Sequence, residues 1–150
     1  MGLKHKITIR SLEAFETGKA RFYTPQSSDE TMLVNISPGV VEDLFVHHFQ
    51  TDQLLVVKGN LTLVILSNRQ YEYIHLTEDK PQVLIIPPGV PHGAINNSTE
   101  NCLLVNAVIR HGQACAKDYQ PLKPPFPYEL NKASQKLVQS RLARTLQALT

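Results

Sequence analysis

The chain has 150 residues, 42% of them hydrophobic, with 15 Lys and Arg against 13 Asp and Glu for a net charge of +2. That length suits one domain with its own buried core, and a charge so small and evenly mixed gives no footing for nucleic acid. No apolar run approaches a membrane span and the opening MGLKHKITIR has no secretory apolar stretch, so the expectation is a soluble cytoplasmic protein with no membrane partner.

In chain order, the N-terminal thirty residues offer one strand, Ile7–Arg10, and a polar loop around Pro25–Glu30. Short apolar and β-branched runs follow at Met32–Ile36, Leu44–Phe49, Gln53–Lys58, Leu61–Leu66, Tyr71–Leu76, Val83–Ile86, His92–Asn96 and Cys102–Arg110. Turn-forming clusters separate them: Ser37-Pro38-Gly39, Gly59-Asn60, Ser67-Asn68, Pro87-Pro88-Gly89 and Asn96-Asn97-Ser98. Gly59-Asn60 between two apolar runs predicts a two-residue hairpin. Strands at this spacing, with no helices alternating between them, predict an all-β sandwich or barrel. The proline-rich stretch Tyr119–Tyr128 reads as extended. Beyond it, Leu130, Ala133, Leu137, Leu142, Leu146 and Leu149 recur near the helical period, with Lys132, Lys136, Arg141 and Arg144 mostly off that stripe. The domain reading is a barrel over residues 1–128 and an amphipathic helix over 129–150, packed on the barrel or on the partner in a homodimer. Cys102 and Cys115 lack metal or disulfide spacing and read as inert thiols.

The chemistry is concentrated in two segments. In IIPPGVPHGAIN, residues 85–96, Pro87 ends a strand because proline donates no ladder bond, and Pro88-Gly89 makes a tight turn. Pro91 stiffens re-entry into a strand whose alternation sets His92, Ala94 and Asn96 on one face. Small Gly93 and Ala94 leave room beside the imidazole. Upstream lies Phe45-Val46-His47-His48-Phe49-Gln50-Thr51-Asp52, in which the adjacent histidines of a regular strand point to opposite faces, so only one enters a pocket.

Pro87, Gly89, His92 and Asn96 match the second cupin motif, P-x-G-x-x-H-x-x-x-N, at every specified position. The segment resembles the first cupin motif more loosely: Gly59 is its closing glycine, Asp52 stands at its glutamate, His47 or His48 at its second histidine, and Phe45 or Val46 at its first. This resemblance implies an antiparallel double-stranded jelly-roll barrel, often dimeric, with its site inside. His48-Phe49-Gln50 together with IPPGVPHG resembles the metal-free dTDP-4-dehydrorhamnose 3,5-epimerase branch, which removes protons next to the carbonyl of keto-sugar nucleotides. Here Leu44-Phe45 stands where that branch has arginine and glycine. Carried over by position, His48 is the catalytic base.

The resulting expectation is a small-molecule-binding cupin, an isomerase- or epimerase-like enzyme acting on a sugar- or keto-acid-type substrate. His48 and His92 would do the acid–base work, and His47, Gln50, Gln53, Asn96 and Tyr73 would contact substrate. No cofactor is needed for that chemistry. The alternative is a mononuclear Fe, Mn, Ni or Zn centre held by His47, Asp52 and His92, since two histidines and a carboxylate form the facial triad of non-haem metal sites. A third reading is a non-catalytic ligand-binding or sensing module.

Overall fold

A computed structural model describes residues 7–149, excluding the side chains of 134–141 and 144. The strands run β1 (Thr8–Ser11), β2 (Ala14–Thr17), β3 (Ala20–Tyr23), β4 (Glu30–Ile36), β5 (Gln50–Lys58), β6 (Asn60–Ser67), β7 (Gln70–Thr77), β8 (Gln82–Ile86), β9 (His92–Ile95) and β10 (Cys102–Arg110). A 3-10 turn at Ala116–Tyr119 and helix α1 (Leu130–Leu149) complete the order. All strand pairs are antiparallel, in a five-stranded sheet β1-β8-β5-β10-β4 and a three-stranded sheet β7-β6-β9. The two sheets face each other as a jelly roll, and side-chain alternation fills the space between them. Leu54, Val56, Leu84, Ile86 and Leu104 enter from the larger sheet, and Leu61, Leu63, Ile65, Ile74, Leu76 and Ala94 from the smaller.

Several expectations change. Gly59 is not in a hairpin: β5 and β6 lie in different sheets, and Gly59 carries the chain from one to the other. It does so at φ 84°, with Asn101 O only 2.7 Å from where a Cβ would stand. The tight hairpin is the next one, β6–β7, turning through Asn68 and Arg69, both at positive φ. Leu44–Phe49 forms no strand; only Leu44 and Phe45 make isolated bridges, to Leu122 and His92. The N-terminal thirty residues hold an unexpected hairpin, β2–β3, on which Phe15 stacks with Phe22 in the open.

Helix α1 covers Leu130–Leu149 of the expected 129–150, and residue 150 lies outside the described residues. Its first turn is tied down: Glu129 N–H donates to Tyr73 Oη at 2.6 Å, and Ala133 is buried with Val64, Tyr73 and Ile95 on the outer face of the small sheet. Leu142, Leu146 and Leu149 are exposed. The readings of Leu137, Lys136, Arg141 and Arg144, and of residues 1–6, concern groups outside those described. No described helix is long and apolar enough to cross a membrane.

Candidate active site

One mouth of the jelly roll opens into a cavity of about 220 Å³. Three local features place its polar groups. On β5 the alternation that buries Leu54 and Val56 also turns Gln50 and Asp52 inward. After the Pro87-Pro88-Gly89 turn, whose Gly89 N–H donates to His47 O, His92 begins β9 facing the same space. Phe45 then exchanges two backbone hydrogen bonds with His92, at 2.7 and 3.0 Å. That bridge sets Phe45 beside His92 in the cavity, and His47, two residues on, falls on the same side.

Asp52 is the hub, its side chain 3% exposed. Its Oδ2 lies 3.3 Å from His47 Nε2 and 3.2 Å from His92 Nε2. Its Oδ1 accepts from Gln50 Nε2 at 2.6 Å and Asn106 Nδ2 at 2.9 Å. Burial alone would push this carboxyl up, but the hydrogen bond and charge of His92, the charge of His47 and the Asn106 amide together hold it below the usual carboxylate value. His92 donates through Nδ1 to Val90 O at 2.9 Å, so its Nε2 can donate to Asp52 only when the ring carries both protons.

His47 differs. Burial outweighs the attraction of Asp52 and lowers its pKa, favouring neutral imidazole. With Nε2 turned to Asp52, its Nδ1 is buried, and the charge and backbone of Asp118 also act on the ring. Glu42 also lines the cavity, and burial, partly offset by His92, raises its carboxyl above the ordinary value.

The sequence-predicted residues therefore divide. His47, Gln50, Asp52 and His92 meet in the cavity. His48 does not line it: one residue out of phase, its ring is 59% exposed and donates through Nδ1 to Asp118 Oδ1 at 2.7 Å. Gln53 is also out of phase with Asp52 and holds the backbone carbonyls of Ser27 and Ala107. Asn96 lies past the end of β9, where alternation stops; it binds Ile36 O and Glu100 O and receives Ser98. Tyr73 faces the helix side of β7. His48, Gln53, Asn96 and Tyr73 therefore do not line the cavity.

Glu42 and Asn106 were missed, and Tyr119 and Phe45 were not assigned to the site. Asn106 had a readable signal, a lone amide on the inward face of the apolar run Cys102–Arg110. Tyr119 comes from the 3-10 turn, its ring 5.7 Å from that of His47 and its hydroxyl donating to Gln50 Oε1. The stretch containing it read only as extended.

No protein-family model and no curated protein matches the chain. Solved structures do. The dTDP-4-dehydrorhamnose 3,5-epimerase from Sulfolobus tokodaii shares 19% identity at a TM-score of 0.59, with 72% of each chain covered. The WlaRB TDP-quinovose 3,4-ketoisomerase from Campylobacter jejuni shares 17% identity at a TM-score of 0.63, over 77% of this chain and 92% of its own. The fold is that of a cupin. The QdtA 3,4-ketoisomerase from Thermoanaerobacterium thermosaccharolyticum, solved in complex with TDP-4-keto-6-deoxyglucose, matches this chain at a TM-score of 0.63 and 11% identity, over 78% of this chain and 87% of that one. At these identities the likeness fixes the architecture, and the chemistry must be argued from the side chains.

Proposed function

We propose that this cupin is an isomerase- or epimerase-like enzyme that moves a proton next to the carbonyl of a small sugar- or keto-acid-type substrate without a metal. The observation that carries the reading is a cavity-lining His47 whose pKa is lowered by burial, with its Nε2 3.3 Å from Asp52 Oδ2 and its ring beside that of His92. Neutral His47 takes the proton from the carbon beside the carbonyl, and the C–H electron pair moves onto the carbonyl oxygen as an enolate. His92, oriented by Nδ1–H to Val90 O with its Nε2 3.2 Å from Asp52, is placed to stabilise that charge. The proton returns to the opposite face of the same carbon or to its neighbour, so the atoms balance without a co-reactant. Gln50 and Asn106 keep Asp52 aimed at both rings. Dissolving the protein in deuterated buffer with a panel of keto sugars and keto acids tests this by NMR. Deuterium should enter next to the carbonyl, His47→Gln should slow entry about 10²- to 10⁴-fold, and His48→Gln should leave it near wild type. Loss in His48→Gln with retention in His47→Gln would overturn the assignment.

A second reading has its own observation. Because His92 Nδ1 donates to a backbone carbonyl, as a metal-bound imidazole's second nitrogen does, its Nε2 is presented towards His47 and Asp52. One ligand atom from each of the three residues lies within 4.8 Å of the others. The residues fit a divalent Fe, Mn, Ni or Zn ion, for which His47, Asp52 and His92 would be the ligands and which would act as a Lewis acid. Stoichiometric metal in protein purified without an affinity tag, lost in His92→Ala, would favour it. Neither metal nor exchange would leave a non-catalytic binding module.

The finer setting is also our reading. The unpaired Cys102 and Cys115 suit a reducing cytoplasm. The exposed Leu142, Leu146 and Leu149, spaced four and three apart, favour a homodimer through α1. Light scattering on the chain cut after Glu129 tests the dimer, which should become a monomer.

A further inference from the structure

We infer that the cavity takes a small, uncharged keto or enol compound with an apolar body, rather than a nucleotide-linked sugar; this rests on the proton-transfer step proposed above and replaces its sugar- or keto-acid-type substrate. The strand registers grade the cavity from a polar mouth to an apolar floor. Along β5 the inward residues run Gln50, Asp52, then Leu54. The paired strands repeat the order. On β10 Asn106 stands opposite Leu54, and Leu104 lies one inward step deeper. On β9 His92 precedes Ala94, which pairs with Leu63. On β4 Met32 is level with Asn106, and Val34 and Ile36 follow inward. One end therefore recognises a polar group, and the other offers only methyl and methylene surface.

A sugar ring placed there would press several hydroxyls against the floor with no partners. Each unpaired hydroxyl costs about 1–3 kcal/mol, so the floor discriminates against sugars by construction. An apolar floor of this kind stays dry and gains by holding an apolar body. Size agrees: about 220 Å³ lies below the usual span of drug-sized pockets. Charge agrees as well. No Lys or Arg is among the described residues lining the cavity, while Glu42 and Asp52 are. The Arg110 guanidinium is engaged by Gln50 Oε1 at 2.6 Å and by Glu30 Oε2 at 2.9 Å. A diphosphate would meet carboxylates with no Lys or Arg among the described lining residues to neutralise it. What the mouth does offer is the His47 imidazole for a hydroxyl or an acidic C–H, beside the His92 ring and the Asn106 amide for a carbonyl.

The test uses cyclohexanone, dihydroxyacetone and TDP-glucose as probes on the full chain, followed through the methyl NMR signals of Leu54, Leu63 and Leu104 and by deuterium entry into each probe. Cyclohexanone should shift those signals and bind at least roughly tenfold tighter than either other probe, a difference of about 1.4 kcal/mol. Ala94→Leu, which fills the floor, should abolish that preference. Val34→Phe, on edge strand β4, serves if Ala94→Leu fails to fold. TDP-glucose binding more tightly than cyclohexanone, or cyclohexanone leaving the floor methyls unmoved, overturns the inference. Deuterium entry into dihydroxyacetone without cyclohexanone binding would refute the ligand class yet keep the proton-transfer reading. Cyclohexanone binding at the floor without deuterium entry would support the ligand class and remove the enzyme reading.

Discussion

The protonation of His47 is a stability statement as well as a chemical one. Its folded-state pKa lies below the ordinary value of 6.5 because burial disfavours the charged ring. Above about pH 7 neither the folded nor the unfolded chain protonates this group, and no penalty arises. As the pH falls through 6.5 the unfolded chain takes up the proton and the folded chain does not, so stability is lost on acidification. Between about pH 7.5 and pH 5.5 that loss is at most about 1.4 kcal/mol for one histidine, the free energy of one proton over one pH unit below its ordinary pKa. With a urea slope of about 1.5 kcal/mol per molar, the midpoint should fall, by at most about 1 M from this group alone. The charged and titratable groups facing the ring are Asp52, His92 and Asp118. Asp52 loses its contribution only below 3.8, outside the window. Glu42, whose raised pKa works in the opposite direction, is common to wild type and variant. The assay is urea unfolding at both pH values, with chelator present, for wild type and His47→Gln. The glutamine keeps a donor for Asp52 and removes the titration. The variant should lose less than wild type on acidification, by at most about 1.4 kcal/mol. Equal losses would show that His47 is already charged in the folded protein and would remove the base assigned to it.

Three further outcomes follow from the same coordinates. Gly59→Ala forces a side chain onto φ 84° with its Cβ 2.7 Å from Asn101 O, so it should cost more than about 2 kcal/mol in urea unfolding; a cost under about 0.5 kcal/mol would refute the tight crossing. Cys102 is fully buried and its thiol is pushed up to about 11 by burial and the nearby Glu78, so one thiol should react with a disulfide reagent in native protein and both in urea. Tyr73→Phe removes the acceptor for Glu129 N–H, costing about 1 kcal/mol and loosening the first turn of α1, visible as faster amide exchange at residues 129–133.

Most strands were legible because their signal is local: β-branched runs cut by Pro, Gly and Asn. Cys102–Arg110 and Leu130–Leu149 have the read boundaries. The misreadings share a cause. Gly59-Asn60 carries the composition of a hairpin, but whether a glycine reverses the chain within a sheet or hands it to the facing sheet depends on which strands pair. Asn96 fitted the alternation begun at His92, but β9 ends one residue earlier and its amide is spent on the turn.

The choice between His47 and His48 turns on the same kind of information. Sequence alone supplies the rule that only one enters the cavity, and it supplies a motif likeness that favours His48. Parity is decided elsewhere, by the Phe45–His92 bridge, which fixes Phe45 and hence His47 on the cavity side. Two contacts hold that phase, Gly89 N–H to His47 O on one flank and His48 to the buried Asp118 on the other. Asp118 is held below its ordinary value, first by its hydrogen bond with His48, so this outer pair is an anchor at ordinary pH. If that is its work, Asp118→Asn should leave the chemistry of a correctly seated His47 intact while letting the 45–49 segment shift. Its mark would then be a weaker apparent substrate affinity with kcat nearly unchanged. A collapse of kcat with affinity preserved would place His48 and Asp118 at the reacting atoms, and the motif likeness would outrank the cavity geometry.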